Sequence, residues 1–342
     1  MPRTAVSATP QGEPLRARIG VLVFPGCVRS GAVVPHDVFD VANQLMQSRP
    51  AARRVVFESC WVAVRPAVTV DGLSFASAAP DVRSLDALIV PGVAHAGLAD
   101  LSAALDGLAP EQALLRTLAA QGLPLLFGCS ATCLVARTGL LDGRRATTSW
   151  WLAAYCRAQF PALQLLPHEL LVEDDAFISS AGVTSYFDLA LWLVGRHAGS
   201  DLRQLTARML VHDSRRESQA PYAAAAAAAS EGEGPVVMER ARRWLARRLD
   251  QDWTVQALAR HCRTSERTLL RRFKEVAGVG PAQYVQQLRV ERAKSLLETT
   301  LLSLEDIAQR CGYQDASTLH KVFKQWARLT PREYRARFGL RA

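Results

Sequence analysis

Phe273-Lys274-x-x-Ala277-x-x-x-Pro281-x-x-Tyr284 returns fifty residues later as Phe323-Lys324-x-x-Ala327-x-x-x-Pro331-x-x-Tyr334. Upstream of each copy a second block matches, Leu258-Ala259-x-x-Cys262 and Ile307-Ala308-x-x-Cys311, offset by one residue less, so that one copy has a slightly longer turn. Two matching blocks in fixed order mark an internal repeat, and a repeat names a supersecondary unit before any single residue does. Cap residues give the unit its shape. Thr254 precedes a helical pattern from Val255 to Cys262, and Ser265 precedes another that ends near Phe273. In the second copy Ser303-x-x-Asp306 reads as a capping box and Asp315 caps the helix that follows. Each copy is helix, short turn, helix, at about 254–273 and 303–326, and that unit points to double-stranded DNA.

Within the second helices Leu269 and Phe273 are four apart, as are Leu319 and Phe323, so each pair faces a core. The opposite face carries Arg267, Leu270 and Arg271 in the first copy and Ser317, His320 and Lys321 in the second. Arg and Lys donate to guanine O6 and N7, and Ser and His serve bases or phosphates, so these six are the candidate base readers. Arg272, Lys274, Lys324 and Arg328 are the candidate phosphate contacts, which set register and salt dependence. A longer helix from Ala282 to Glu298 joins the copies, with Val285, Leu288 and Leu296 on one side. Held rigidly by it, the two reading heads would enter successive major grooves about 34 Å apart.

Charge follows the same division. The 342 residues carry net +9, but residues 235–342 hold 22 Lys and Arg against 11 Asp and Glu, and the remaining 19 against 21 leave residues 1–234 at −2. A basic block on a near-neutral chain is the electrostatic footprint of a nucleic-acid-binding domain, though a solvated basic face would carry the same charge. The length predicts about two domains. Seven cysteines in no framework spacing suit a reducing compartment, and no Cys-x-x-Cys pair or His cluster calls for a metal or other cofactor. No apolar run approaches the roughly 20 residues of a membrane helix, and Met1 to Pro14 lacks the apolar stretch of a signal peptide. The expectation is a cytoplasmic protein with no membrane partner.

Residues 1–15 read as a flexible tail and residues 218–235 as a linker, where Gln219-Ala220-Pro221-Tyr222 leads into seven alanines and then Ser230-Glu231-Gly232-Glu233-Gly234-Pro235. Between them, 16–217 alternates strand and helix. Ile19 to Phe24, Ala87 to Val90 and Leu123 to Phe127 are continuous apolar runs, as buried parallel strands require. Helical patterns fall at Val38 to Met46, Glu111 to Ala120, Thr132 to Leu141, Trp150 to Phe160 and Ser185 to Val194. The predicted fold is a doubly wound α/β domain followed by an all-α tandem helix-turn-helix domain at 236–342. Ligands of the first class sit beyond the carboxyl ends of the strands. There the sequence places Gly128-Cys129-Ser130-Ala131-Thr132, a cysteine on a sharp strand-to-helix turn as in a nucleophile elbow.

Val236 to Phe338 resembles the AraC/XylS family of bacterial transcription regulators, most specifically through Ile307-Ala308-x-x-Cys311-Gly312-Tyr313 leading to Phe323 and Pro331-x-x-Tyr334. Where the family often has an aromatic residue, this chain has Leu319. Arg18 to Arg216 resembles the ThiJ/PfpI group of class I glutamine-amidotransferase-like domains, flavodoxin-like in fold, as fused to AraC-type modules in GlxA-like regulators. Its matching stretches are Ala87 to Gly92, Gly128-Cys129, Gly139 to Thr148 and Ser180-Ala181-Gly182. The resemblance implies a ligand-responsive regulator, a homodimer on repeated half-sites that works with RNA polymerase if it activates.

Catalytic members of that group often place His directly after the Cys, where this chain has Ser130, and a carboxylate early in the first loop, where it reads Arg29 to Pro35. His36 and Asp37 follow at the start of the first helix, and nothing in the sequence brings His95 or His168 to Cys129. Cys129 is therefore read as a wall of a non-catalytic ligand pocket, with Ser130, Trp150 and Trp151. Three other readings stay open: a redox-sensitive thiol with Cys133 one turn on, the nucleophile of a hydrolase or amidase, and simple packing. Trp150 and Trp151 could hold a cationic effector, such as an amine or amino-acid derivative, against their ring faces.

Overall fold

A computed structural model of the chain describes residues 14–50, 53–75, 84–214, 216–223 and 236–340. It divides into two compact units, Met1–Ser149 with Ala162–Glu217 and Trp150–Pro161 with Ser218–Ala342. Residues 1–13 of the expected tail and 224–235 of the expected linker lie outside the described residues.

The first unit runs β1 (Leu15–Leu22), α1 (Arg29–Met46), β2 (Val55–Val62), β3 (Val68–Val70), β4 (Leu73–Phe75), β5 (Ala87–Val90), α2 (Leu98–Asp106), α3 (Ala109–Ala120), β6 (Leu125–Gly128), α4 (Ala131–Ala136) and β7 (Arg145–Ala146). After α5 (Ala153–Gln159), which groups with the second unit, come β8 (Gln164–Leu165), β9 (Leu171–Asp174), β10 (Phe177–Ser180), α6 (Tyr186–Ala198) and α7 (Ser200–Met209). Six strands form one sheet in the order β2-β1-β5-β6-β10-β9, every pair parallel except β10 with β9. This is the doubly wound, flavodoxin-like α/β fold. The three apolar runs supply β1, β5 and β6, at the sheet's centre, and Ala87 to Val90 and Leu125 to Gly128 are buried at every residue. Helices cover such strands on both faces, so alternation has no selective value there.

Several boundaries differ from the sequence reading. Arg29 to Pro35 is the beginning of α1, not a loop, and Pro35 sits inside the helix. The predicted helix Thr132–Leu141 is only the short α4, because the chain turns at Thr138 and passes through left-handed Gly139 at φ 81°. Trp150 to Leu152 is a 3₁₀ turn ahead of α5. Strands β2, β9 and β10 went unpredicted: β2 lies at the sheet edge with half-buried polar residues, and β10 ends in two buried serines. A buried ionic group also escaped notice. Asp188 on α6 accepts from Arg216 at 2.7 Å and lies 2.9 Å from His212 Nε2, pinning the chain after α7 back onto α6.

The second unit continues with α8 (Val236–Ala246), α9 (Val255–His261), α10 (Glu266–Ala277), α11 (Pro281–Thr299), α12 (Leu304–Arg310), α13 (Ala316–Ala327) and α14 (Pro331–Phe338). Two cores organise it. Met238, Ala241 and Leu245 of α8 pack with Leu258, Cys262, Leu269, Phe273 and Tyr284. Ile307, Cys311, Leu319, Phe323 and Tyr334 form the other core. The shared letters of the repeat are its scaffold: Phe273 meets Tyr284 edge-on at 5.5 Å, and Phe323 meets Tyr334 at 5.3 Å. Burial pushes the Cys311 thiol up to about 11 and raises that of Cys262, so both act as small apolar groups.

Helix α11 serves both cores. Tyr284, Val285 and Leu288 belong to the first, and Val290, Ala293 and Leu297 to the second. At about 100° per residue these sets fall on roughly opposite sides of the helix. The single stripe of Val285, Leu288 and Leu296 is thus corrected, since Leu296 packs with the second core. The halves also touch directly at Gly312 (φ 79°), where a Cβ would lie 2.1 Å from the Leu249 carbonyl oxygen. Residues 218–223 of the expected linker are folded: Ala220–Tyr222 is a 3₁₀ turn with Gln219 and Ala220 buried.

Candidate nucleic-acid interface and cysteine turn

The helix-turn-helix units are capped as their sequence demands. Thr254 accepts from the Ala257 amide, Ser265 from Thr268, Ser303 from Asp306 and Asp315 from Thr318. At Ser303 only half of the expected capping box forms, because the Asp306 carboxylate accepts from the Ser303 hydroxyl. A complete box stands instead at Thr330 and Glu333, at the start of α14. The extra residue of the second copy lies in its turn. Three positions separate Cys262 from cap Ser265, and four separate Cys311 from cap Asp315.

Helices α10 and α13 are the second helices of the two units. Leu269, Phe273, Leu319 and Phe323 are fully buried, which turns the other face of each helix to solvent. Arg267, Leu270 and Arg271 are exposed on α10, and Ser317, His320 and Lys321 on α13. Helical spacing adds Lys274 and Lys324, also exposed, to these same faces, one turn beyond Leu270 and His320. Arg272 is half-buried and about 100° away around α10, on the flank. Lys274 and Arg272, paired in the sequence reading, therefore occupy different sides of the helix. Glu275 lies between two of the cations, 3.1 Å from Arg272 and 3.8 Å from Arg271; such exposed pairs hold little energy and leave both guanidiniums available to a phosphate. α10 runs to Ala277, a turn beyond the expected end at Phe273.

The family model described as a helix-turn-helix domain matches residues 258–337. Residues 258–337 form a helix-turn-helix domain. The chain is similar to the HTH-type transcriptional regulator GbdR of Pseudomonas aeruginosa, 26% identical over 221 residues that cover 65% of this chain and 60% of that one. It is similar also to GlxA of Rhizobium meliloti, 28% identical over 228 residues, covering 66% and 69%. The chain thus spans about 60% of the length of GbdR. Among solved structures it resembles an AraC family transcriptional regulator from Pseudomonas putida, with 21% identity and a TM-score of 0.43 over 57% of this chain and 99% of that one.

In the α/β unit Cys129 stands where β6 turns into α4, with a left-handed backbone at φ 57° and 4% exposure. Its amide donates to the Ala181 carbonyl at 2.8 Å, the Thr148 hydroxyl donates to its carbonyl at 2.7 Å, and the Ser149 hydroxyl lies 3.1 Å from Sγ. Ser130 is buried, and its hydroxyl accepts from the Val93 amide at 2.8 Å while donating to the Val93 carbonyl at 2.7 Å, stitching β6 to the loop after β5. Fully buried Tyr186 donates to the Gly128 carbonyl at 3.0 Å; burial holds its phenol well above the ordinary pKa, so the donor keeps its proton. Gly31 abuts that ring, and a Cβ there would lie 2.9 Å from it. Cys133 is wholly buried on α4. Trp150 and Trp151, which meet edge-on at 5.4 Å, belong to the second unit, where the Trp150 amide donates to Gln219 Oε1 at 3.0 Å.

Proposed function

We propose that this chain is a ligand-responsive transcription regulator that binds double-stranded DNA through two helix-turn-helix units. The observation that carries the reading is the matched presentation of Arg267, Leu270, Arg271 and Lys274 with Ser317, His320, Lys321 and Lys324, each set backed by a buried Leu and Phe. The scaffold is common to both copies and the exposed set differs, as expected of two heads reading different bases. The chain acts in the cytoplasm as a homodimer on repeated half-sites, engaging RNA polymerase where it activates. Among the described residues no helix is long and apolar enough to cross a membrane. Selection of duplexes from a random-sequence pool tests the reading. One or a few enriched sequences are expected, and a pool left unenriched refutes it.

The α/β domain senses a small molecule and does not turn it over. The left-handed backbone of Cys129 favours a rival reading, a hydrolase or amidase nucleophile, since backbone strain gathers at reactive sites. Two observations oppose it. Ser130, in the place of the His of catalytic relatives, commits its hydroxyl to Val93, and Gly31 leaves no space for a carboxylate beside Tyr186. The strand ends around Cys129 and Ser130 remain the place for an effector in this fold class, with Trp150 and Trp151 following in sequence; an amine or amino-acid derivative is the proposed class. A thermal-shift screen of metabolites against the full chain tests this, and a transcriptional response lost in Cys129→Ala together with a measured turnover would favour the enzyme.

A further inference from the structure

The start of the presumed linker is seated on the second helix-turn-helix half. Lys294 on α11 is 5% exposed, and its three ammonium hydrogens find three acceptors: the Ala220 carbonyl at 3.1 Å, the Ala223 carbonyl at 2.6 Å and Glu291 Oε1 at 2.8 Å. The Tyr222 ring meets Phe338 of α14 edge-on at 5.4 Å, and its hydroxyl accepts from Arg337 Nη2 at 2.8 Å. Gln219 takes the Trp150 amide, fixing the other end of the stretch.

Connectivity gives this seat a consequence. After Ala223 the chain continues to α8, which enters the first half's core through Met238, Ala241 and Leu245. Within the described residues the stretch reaches that same half through Trp150 and α5, whose Arg157 side chain lies beside Gly278 at the end of α10. We propose that residues 218–223 are a clasp, fastened by Lys294 and Tyr222, that holds the two helix-turn-helix halves in one mutual arrangement for DNA. One ammonium takes both the Ala220 and the Ala223 carbonyl, so the two ends of the clasp are released together. When one head has bound, the second binds at an effective concentration set by how freely the halves pivot, and a closed clasp raises it. The inference rests on the reading of this chain as a DNA-binding regulator.

The test uses the full chain with Tyr222→Ala and with Lys294→Met. Hydrogen exchange reads the amides of 219–223, and fluorescence anisotropy reads affinity for a duplex that the wild type recovers from a random pool, intact or with one half of the site scrambled. Both variants are expected to speed exchange about tenfold and to weaken binding of the intact duplex about five- to tenfold, leaving the half-scrambled duplex within about twofold. Unchanged exchange overturns the clasp, as does fast exchange with unchanged affinity, or an equal loss on both duplexes. Tyr222 is 42% exposed, so Tyr222→Ala carries the test if Lys294→Met does not fold. A wild type that enriches no sequence removes the regulator reading and the clasp with it; one that enriches a sequence the variants bind equally well removes the clasp alone.

Discussion

Arg328 stands in the second copy where Gly278 stands in the first, and both end a recognition helix in the left-handed region, at φ 56° and 72°. Their amides close the same bond, to the carbonyls of Lys324 and Lys274. In the inter-helix turns the assignment reverses, with Arg263 left-handed in the first copy and Gly312 in the second. A side chain in this region costs about 1 kcal/mol, so Arg328 is held there against a conformational preference that glycine would satisfy.

Arg328→Gly separates the two roles of that position. The variant is expected to gain about 0.5–1 kcal/mol in denaturant unfolding while its DNA affinity falls and the slope of log affinity against log salt shrinks by about one contact. A gain in stability with an unaltered slope would take Arg328 off the phosphate backbone.

On the α10 face, Arg267→Ala and Arg271→Ala should each weaken binding of the selected duplex by about 1–3 kcal/mol and relax preference at one base position. Lys274→Ala should lower affinity for all sequences alike and flatten the salt dependence. Gel shifts on selected and scrambled duplexes distinguish these outcomes.

Ser130→Ala removes both bonds to Val93 and leaves a buried amide and carbonyl unmatched. Unfolding free energy should drop by about 2 kcal/mol, while DNA binding at a temperature where the chain stays folded is kept. A neutral effect would mean that water replaces the hydroxyl.

Gly31→Ala drives a Cβ into the Tyr186 ring and should destabilise the α/β domain by about 1–3 kcal/mol. Chemical denaturation followed by tryptophan fluorescence reads the loss. A fully stable Gly31→Ala would reopen the space for an acidic side chain near Cys129.

Bonds from the Thr318 amide and hydroxyl hold the Asp315 carboxyl below its ordinary pKa. A group depressed in the folded state contributes stability that is complete above its unfolded value and lost as pH falls through the folded one. Melting temperature should therefore fall more steeply for the wild type than for Asp315→Asn below about pH 4 and run parallel to it at higher pH. Parallel curves throughout would mean that the charge on the capping carboxylate adds nothing.

The helix-turn-helix domain was legible because its signals are local: Thr254, Ser265, Ser303 and Asp315 lie at helix starts, and Leu269/Phe273 and Leu319/Phe323 repeat at helical spacing. What the sequence did not disclose depends on distant partners. Lys294 reads as one more basic residue on a charged helix, and only the fold brings Ala220 and Ala223 to it. The Gln219 to Tyr222 stretch was obscured by the alanine run that follows it. Helix α11 misled for a physical reason: it packs on two sides, so no single apolar stripe describes it. Cys129 was placed correctly on its turn, but the commitment of Ser130 to Val93 crosses from one strand end to the next and leaves no local trace.

Gly312 has a consequence for how the duplicated segment folds. The Leu249 carbonyl fills the space where a side chain at this position would begin, and it also receives Arg289 Nε at 2.8 Å. The tip of one copy is thus part of the surface on which the other is built. Copies that arose alike have become interdependent, so they should melt in one cooperative transition, and damage in either turn should be felt by both.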